Sequence, residues 1–170
     1  MTALHVATLT LTLTTASSDD LGRAGRQLAA QCGDTGNAAG PYPGSFYSVP
    51  LILLLLAIGL VAAAALTAVV RRPRGFAPDE AGDDELRHQS TTRVLAAVGA
   101  VLAASQMGIA FFAGTAMLRM DCQLAWMPPV GWLLISSILA ATLLLGWFLG
   151  RLVAPEALPA HSPAPPVGTR

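Results

Sequence analysis

Three stretches of this chain carry no charged residue and are long enough to cross a bilayer, which limits its possible folds more than any other feature. They run from about Val49 to Val70, from Val94 to Leu118 and from Val130 to Gly150. The first holds 22 residues, and as a helix it reaches about 33 Å against a hydrocarbon core of about 30 Å. Arg71, Arg72, Pro73 and Arg74 stop it, Arg93 and Arg119 bound the second, and Pro128, Pro129 and Arg151 frame the third. Pro50 falls in the first turn of the first stretch, where a missing N–H costs nothing. A buried helix of a soluble protein would be shorter and would show a polar stripe. The expected fold is therefore all-α: an integral membrane protein with three transmembrane helices, a short extracytoplasmic N-terminal segment and a disordered C-terminal tail. In domain terms this gives residues 1–48 outside, a bundle over 49–153 with an inner loop at 71–93 and an outer loop at 119–129, and a Pro-rich cytoplasmic tail at 154–170.

Composition agrees with that class. Only 12% of the residues are charged, the formal net charge is zero, and all ten basic residues are Arg. No basic face is left to neutralise phosphates, so nucleic acid is not an expected partner. Arg without Lys in an Ala-rich chain points to a GC-rich, bacterial source. Tyr42, Phe46 and Tyr47 before the first span, and Trp126, Trp132 and Trp147 around the third, occupy positions suited to aromatic belts at the membrane interfaces.

Arginine placement sets the expected orientation. Arg71, Arg72, Arg74, Arg87, Arg93 and Arg151 lie near the membrane on one side and Arg119 alone on the other. The positive-inside rule then puts the N-terminus outside, the 71–93 loop and the C-terminus in the cytoplasm, and the chain in the plasma membrane as a multi-pass protein. The acidic run Asp79, Glu80, Asp83, Asp84 and Glu85 cancels the loop's charge without affecting the rule, and the loop is expected to be solvated.

The segments outside the spans are less determined. Leu9, Leu11 and Leu13 alternate with Thr8, Thr10, Thr12 and Thr14, which reads as a half-buried strand or a disordered tail. A signal-like segment without a basic start and a short fourth span remain alternatives. Residues 18–31 are expected to form a short amphipathic helix capped by Ser17 or Ser18, with Gly22 and Gly25 weakening it. Gly33 to Ser45 is rich in Gly and Pro and reads as an irregular connector.

Two features carry candidate chemistry. Cys32 and Cys122 are the only cysteines. On this topology both face an oxidising compartment, so they are expected to form a structural disulfide. Gln106 is the one strongly polar side chain deep in a span, and it shares a face with Gly99, Ala103, Ala110 and Ala113. Small residues let helices approach and a buried amide must find a partner, so this face is expected to pack against another helix. Gly59 with Ala63 and Thr67, and Gly146 with Gly150, are lesser small-residue rows of the same kind. His5, His88 and His161 are scattered and read as solvated; no metal or cofactor motif accompanies them. The functional expectation is a structural or accessory membrane protein, not an enzyme, acting through helix packing and partner binding. Its partners would be the bilayer and other membrane subunits or a second copy of itself. An oligomeric small transporter or channel subunit is the first alternative, and a membrane-bound enzyme or redox protein the second.

Overall fold

The computed structural model describes residues 2–73 and 80–153. Its element order is α1 (Thr2–Thr15), β1 (Ala16–Ser17), β2 (Gln27–Cys32), β3 (Thr35–Ala39), α2 (Ser45–Arg71), α3 (Glu80–Arg119) and α4 (Met127–Val153). The chain is mostly helical, and α2, α3 and α4 are long and apolar enough to cross a membrane. The tail at 154–170 and residues 74–79 of the expected inner loop lie outside the described residues.

The first departure from the sequence reading is α1. The Leu/Thr alternation does not form a strand. Thr8, Thr10, Thr12, Thr14 and Thr15 each donate a hydroxyl hydrogen bond to a carbonyl three or four residues back, at 2.7–3.1 Å. Each hydroxyl proton is thereby satisfied within the helix, so no threonine leaves an unpaired donor. Buried His5, Thr8, Leu9 and Thr12 follow helical spacing, and that face packs against the other helices. At 14 residues, α1 is only about 21 Å long and reaches part of the way along the bundle.

Residues 18–31 also depart from expectation. No helix forms there, because Gly22 and Gly25 take φ of 74° and 67°, a left-handed conformation that interrupts a helix. The Asp19 carboxylate closes a turn by accepting from the backbone N–H of Leu21 and Arg23. Beyond it the chain enters an antiparallel sheet of order β1-β2-β3. Cys32 pairs with Thr35, so β2 and β3 form a hairpin around Gly33 and Asp34. Gly33 has φ of 61°, the positive value such a two-residue turn requires. The expected connector is therefore ordered strand as far as Ala39.

The long helices differ in detail from the three apolar runs. α2 begins at Ser45, so Pro50 lies inside it and not in its first turn. Pro128 and Pro129 do fall in the first turn of α4, where N–H groups have no intrahelical partner. α3 holds 40 residues and is about 60 Å long, twice a bilayer core. Its first 14 residues, expected as solvated loop, are helical. Glu80 and Asp83 sit in the first turn, where the helix dipole favours acids. Arg87 reaches back to donate to the carbonyls of Val70 and Arg72 at 3.1 and 2.7 Å, tying this extension to the end of α2.

The tightest packing joins α3 and α4. A Cβ built on Gly114 would stand 3.1 Å from the Gly131 carbonyl oxygen and 3.0 Å from the Ile135 side chain. One built on Gly131 would stand 3.0 Å from the Leu118 side chain and 3.4 Å from the Gly114 carbonyl. The two glycines thus mark the helix crossing, and Gly99 makes a second close approach under the Phe148 ring. Gly59, Gly146 and Gly150 have open space where a Cβ would stand, and Gly59, Ala63, Gly146 and Gly150 are exposed. These two rows do not join helices among the described residues. Gly114→Ala is expected to cost about 1–3 kcal/mol, as overpacking does. Gly131→Ala should cost less, since the flexible Leu118 can yield where a backbone carbonyl cannot. Gly59→Ala should cost nothing. Unfolding of the three variants in micelles checks the order.

Candidate functional site

Gln106 stands at the centre of the bundle. It is fully buried on the α3 face that also carries Ala103, Ala110 and Ala113, each with 0% exposure. The alanines leave room for the flanking helices, and the amide meets two of them. Its Oε1 lies 3.0 Å from His5 Nδ1 of α1. Its Nε2 donates to Thr8 Oγ1 at 3.2 Å and, at a longer 3.5 Å, to Ser137 Oγ of α4.

The proton inventory fixes the direction of this network. Thr8 donates its hydroxyl proton to the Leu4 carbonyl and Ser137 donates its own to Leu134. Both oxygens can therefore only accept from Gln106, which sets its NH₂ group toward them and its carbonyl oxygen toward His5. His5 Nδ1 must then carry the hydrogen. In the neutral ring Nε2 is left as a lone-pair acceptor, and Nε2 is buried without a partner. The sequence reading of His5 as a solvated residue is thus corrected: it is 2% exposed and joined to Gln106. The signal was present in the spacing of His5, Thr8, Thr12 and Thr15, a polar stripe of helical period under the more visible alternation.

Beside this network lies a crevice of about 350 Å³ between α1, α2 and α3, lined by His5, Val6, Leu9, Leu55, Leu56 and Leu102 among others. Apart from His5 and the Thr2 and Thr10 side chains its walls are aliphatic. Among the described residues no three His, Cys, Asp or Glu side chains converge as a metal site would require.

At the end where α1 meets the sheet, a second group of residues forms a cap. Leu28, Ala30 and Tyr42 are buried against Ala113, Met117, Met120 and Met127 in one continuous core. Tyr42 is fully buried in this core, so its ring does not face outward as the aromatic-belt reading expects. Its hydroxyl lies 2.6 Å from Thr15 Oγ1. Thr15 has given its own proton to the Leu11 carbonyl, so Tyr42 is the donor. Burial pushes the Tyr42 phenol above its ordinary range, which keeps that proton in place. The Cys32–Cys122 disulfide, with Cα atoms 5.9 Å apart, bonds the end of β2 to the segment between α3 and α4. Asn37 of β3 adds a 3.0 Å hydrogen bond to Asp121 beside it. Arg26 lies 3.6 Å over the Phe46 ring at the start of α2.

These features define a helical protein with three membrane-length helices, a shorter fourth helix held by an internal amide, and a disulfide-pinned sheet over one end. No protein-family model, curated protein or solved structure matches the chain.

Proposed function

We propose that this chain is an integral protein of the bacterial plasma membrane that works as an accessory subunit, binding partner helices through α2. The observation that carries the reading is the exposure of α2. No residue of its apolar stretch is fully buried against the described chain, and Leu53, Leu54, Leu56, Leu60 and Val61 are 54–73% exposed. A patch of this size is not stable in water and needs lipid or protein against it. The Gln106 amide spends its hydrogen bonds in joining α1, α3 and α4, which favours a packing role over transport. Purification in mild detergent should bring down a stoichiometric membrane partner that crosslinks to α2 positions such as Leu60. A chain that purifies alone, leaves Leu60 uncrosslinked and conducts ions in liposomes would instead support the transporter reading.

The proposed orientation places the sheet cap and Cys122 outside and the Arg87 end of α3 in the cytoplasm. It rests on the arginine asymmetry and agrees with a disulfide at the cap. Single cysteines placed at Ser90 and at Asp34, in a chain whose native cysteines are replaced by serine, test it with an impermeant thiol reagent on intact cells. Asp34→Cys should be labelled and Ser90→Cys protected. Labelling at Ser90 with protection at Asp34 would reverse the orientation.

A further inference from the structure

We propose that the crevice between α1, α2 and α3 binds a membrane-dissolved alcohol or phenol, whose hydroxyl donates to His5 Nε2. The crevice shares Leu56 with the exposed face of α2, and its other walls come from α1, α3 and the Ile52 and Leu55 side of α2.

Three observations point to that chemistry. The first is the orphan acceptor. His5 is 2% exposed and Nε2 has no partner, while the Gln106 network holds the ring hydrogen on Nδ1. A buried acceptor left unmade is unfavourable, and a ligand with an O–H group would satisfy it. The second is the lining. His5 is part of the crevice wall, whose other members are mainly Val6, Leu9, Leu55, Leu56 and Leu102. Such a surface takes an apolar body with one polar group, and about 350 Å³ falls at the small end of small-molecule sites. The third is depth. His5 stands ten residues before Thr15, where α1 meets the cap. That places it about 15 Å below the cap end of the bundle, near the centre of a bilayer core. A ligand there arrives through lipid and not from water.

The same network sets the selectivity. With its hydrogen on Nδ1, the ring can accept at Nε2 but cannot donate there. Ketones, ethers and esters offer only acceptors to it, so they gain nothing over a plain alkyl chain. His5 Nε2 is buried, so the hydroxyl reaches it only when the side chains around it shift. Side-chain adjustments of that kind are common on binding.

The test uses the full chain in phosphatidylcholine vesicles and two photoreactive probes, a diazirine-bearing octanol and its methyl ether. They share the apolar body and differ in the hydroxyl donor. The alcohol should crosslink to Val6, Leu55 or Leu102 about fivefold more than the ether, the factor one neutral hydrogen bond supplies. His5→Phe should bring the alcohol down to the level of the ether, with an intact Cys32–Cys122 bond reporting that the chain is folded. Equal labelling of the native crevice by both probes would show a groove for any acyl chain and overturn the proposal. Absence of label from these residues would overturn it as well, and so would an alcohol preference that survives in His5→Phe. The comparison of the two probes on the native chain decides the matter even if the variant does not fold.

Discussion

Cys32→Ser is expected to open the sheet cap to trypsin while α2, α3 and α4 remain inserted. The bond it removes joins residues 90 apart in sequence, a separation worth about 4.5 kcal/mol in the chain-entropy account. In a membrane the two ends are already confined by inserted helices, so less freedom is released. A loss of about 2–4 kcal/mol from cap docking is the expected range. What remains to hold the cap is the Asn37–Asp121 and Tyr42–Thr15 hydrogen bonds, the Arg26–Phe46 contact and the burial of Leu28, Ala30 and Tyr42. The cap should therefore open locally and reversibly, without global unfolding. Arg23 is exposed beside the Gly22 turn, and cleavage after it should appear within minutes in the variant and hardly at all in the oxidised chain. Reduction of the native protein should reproduce the effect. Cap resistance that is the same with and without the bond would refute this account, and so would alkylation of both thiols without prior reduction.

The contrast between cap and bundle explains what the sequence made visible. The apolar runs of α2, α3 and α4 stand out because a bilayer imposes one simple requirement, length without charge. Cys32 and Cys122 could be paired because two cysteines allow one intramolecular connectivity. The hairpin was also legible in principle. Gly33 and Asp34 between two short segments are a two-residue turn signal, obscured by the glycines and prolines that follow. The helical state of α1 was hidden for a different reason. Its strand-like alternation and its helical stripe coexist in the same residues, and the helical stripe is the one that meets tertiary partners such as Gln106. The crossing at Gly114 and Gly131 could not be read either. In an Ala-rich chain Gly59, Gly146 and Gly150 look equally suited to close packing, and which glycines meet depends on the relative rotation of α3 and α4. His5 was missed because α1 was not recognised as a helix, so nothing placed its side chain in the bundle.

Gln106→Leu is expected to loosen α1 more than any other single substitution within the helices. The leucine fills a similar volume but withdraws the acceptor that His5 Nδ1 needs. With Nε2 already without a partner, the imidazole would then be buried with both nitrogens unsatisfied. A cost of about 1–3 kcal/mol follows from one buried group left unmade, above the roughly 0.6 kcal/mol average of intramembrane hydrogen bonds. Thr8 and Ser137 lose little, since their protons already rest on the carbonyls of Leu4 and Leu134. The consequence is a specific non-additivity. His5→Leu with Gln106→Leu removes both partners and leaves no orphan donor, so the double variant should be more stable than Gln106→Leu alone. A double-mutant cycle on unfolding in micelles, with proteolysis within α1 as a second readout, measures the coupling. Additive losses would mean that the 3.0 Å contact between His5 and Gln106 contributes nothing to docking. A strong coupling would identify the amide as the fastening for α1. That helix carries no disulfide of its own. Its place is kept by the His5 and Thr8 contacts with Gln106, by the burial of Leu9 and Thr12 and by the cap.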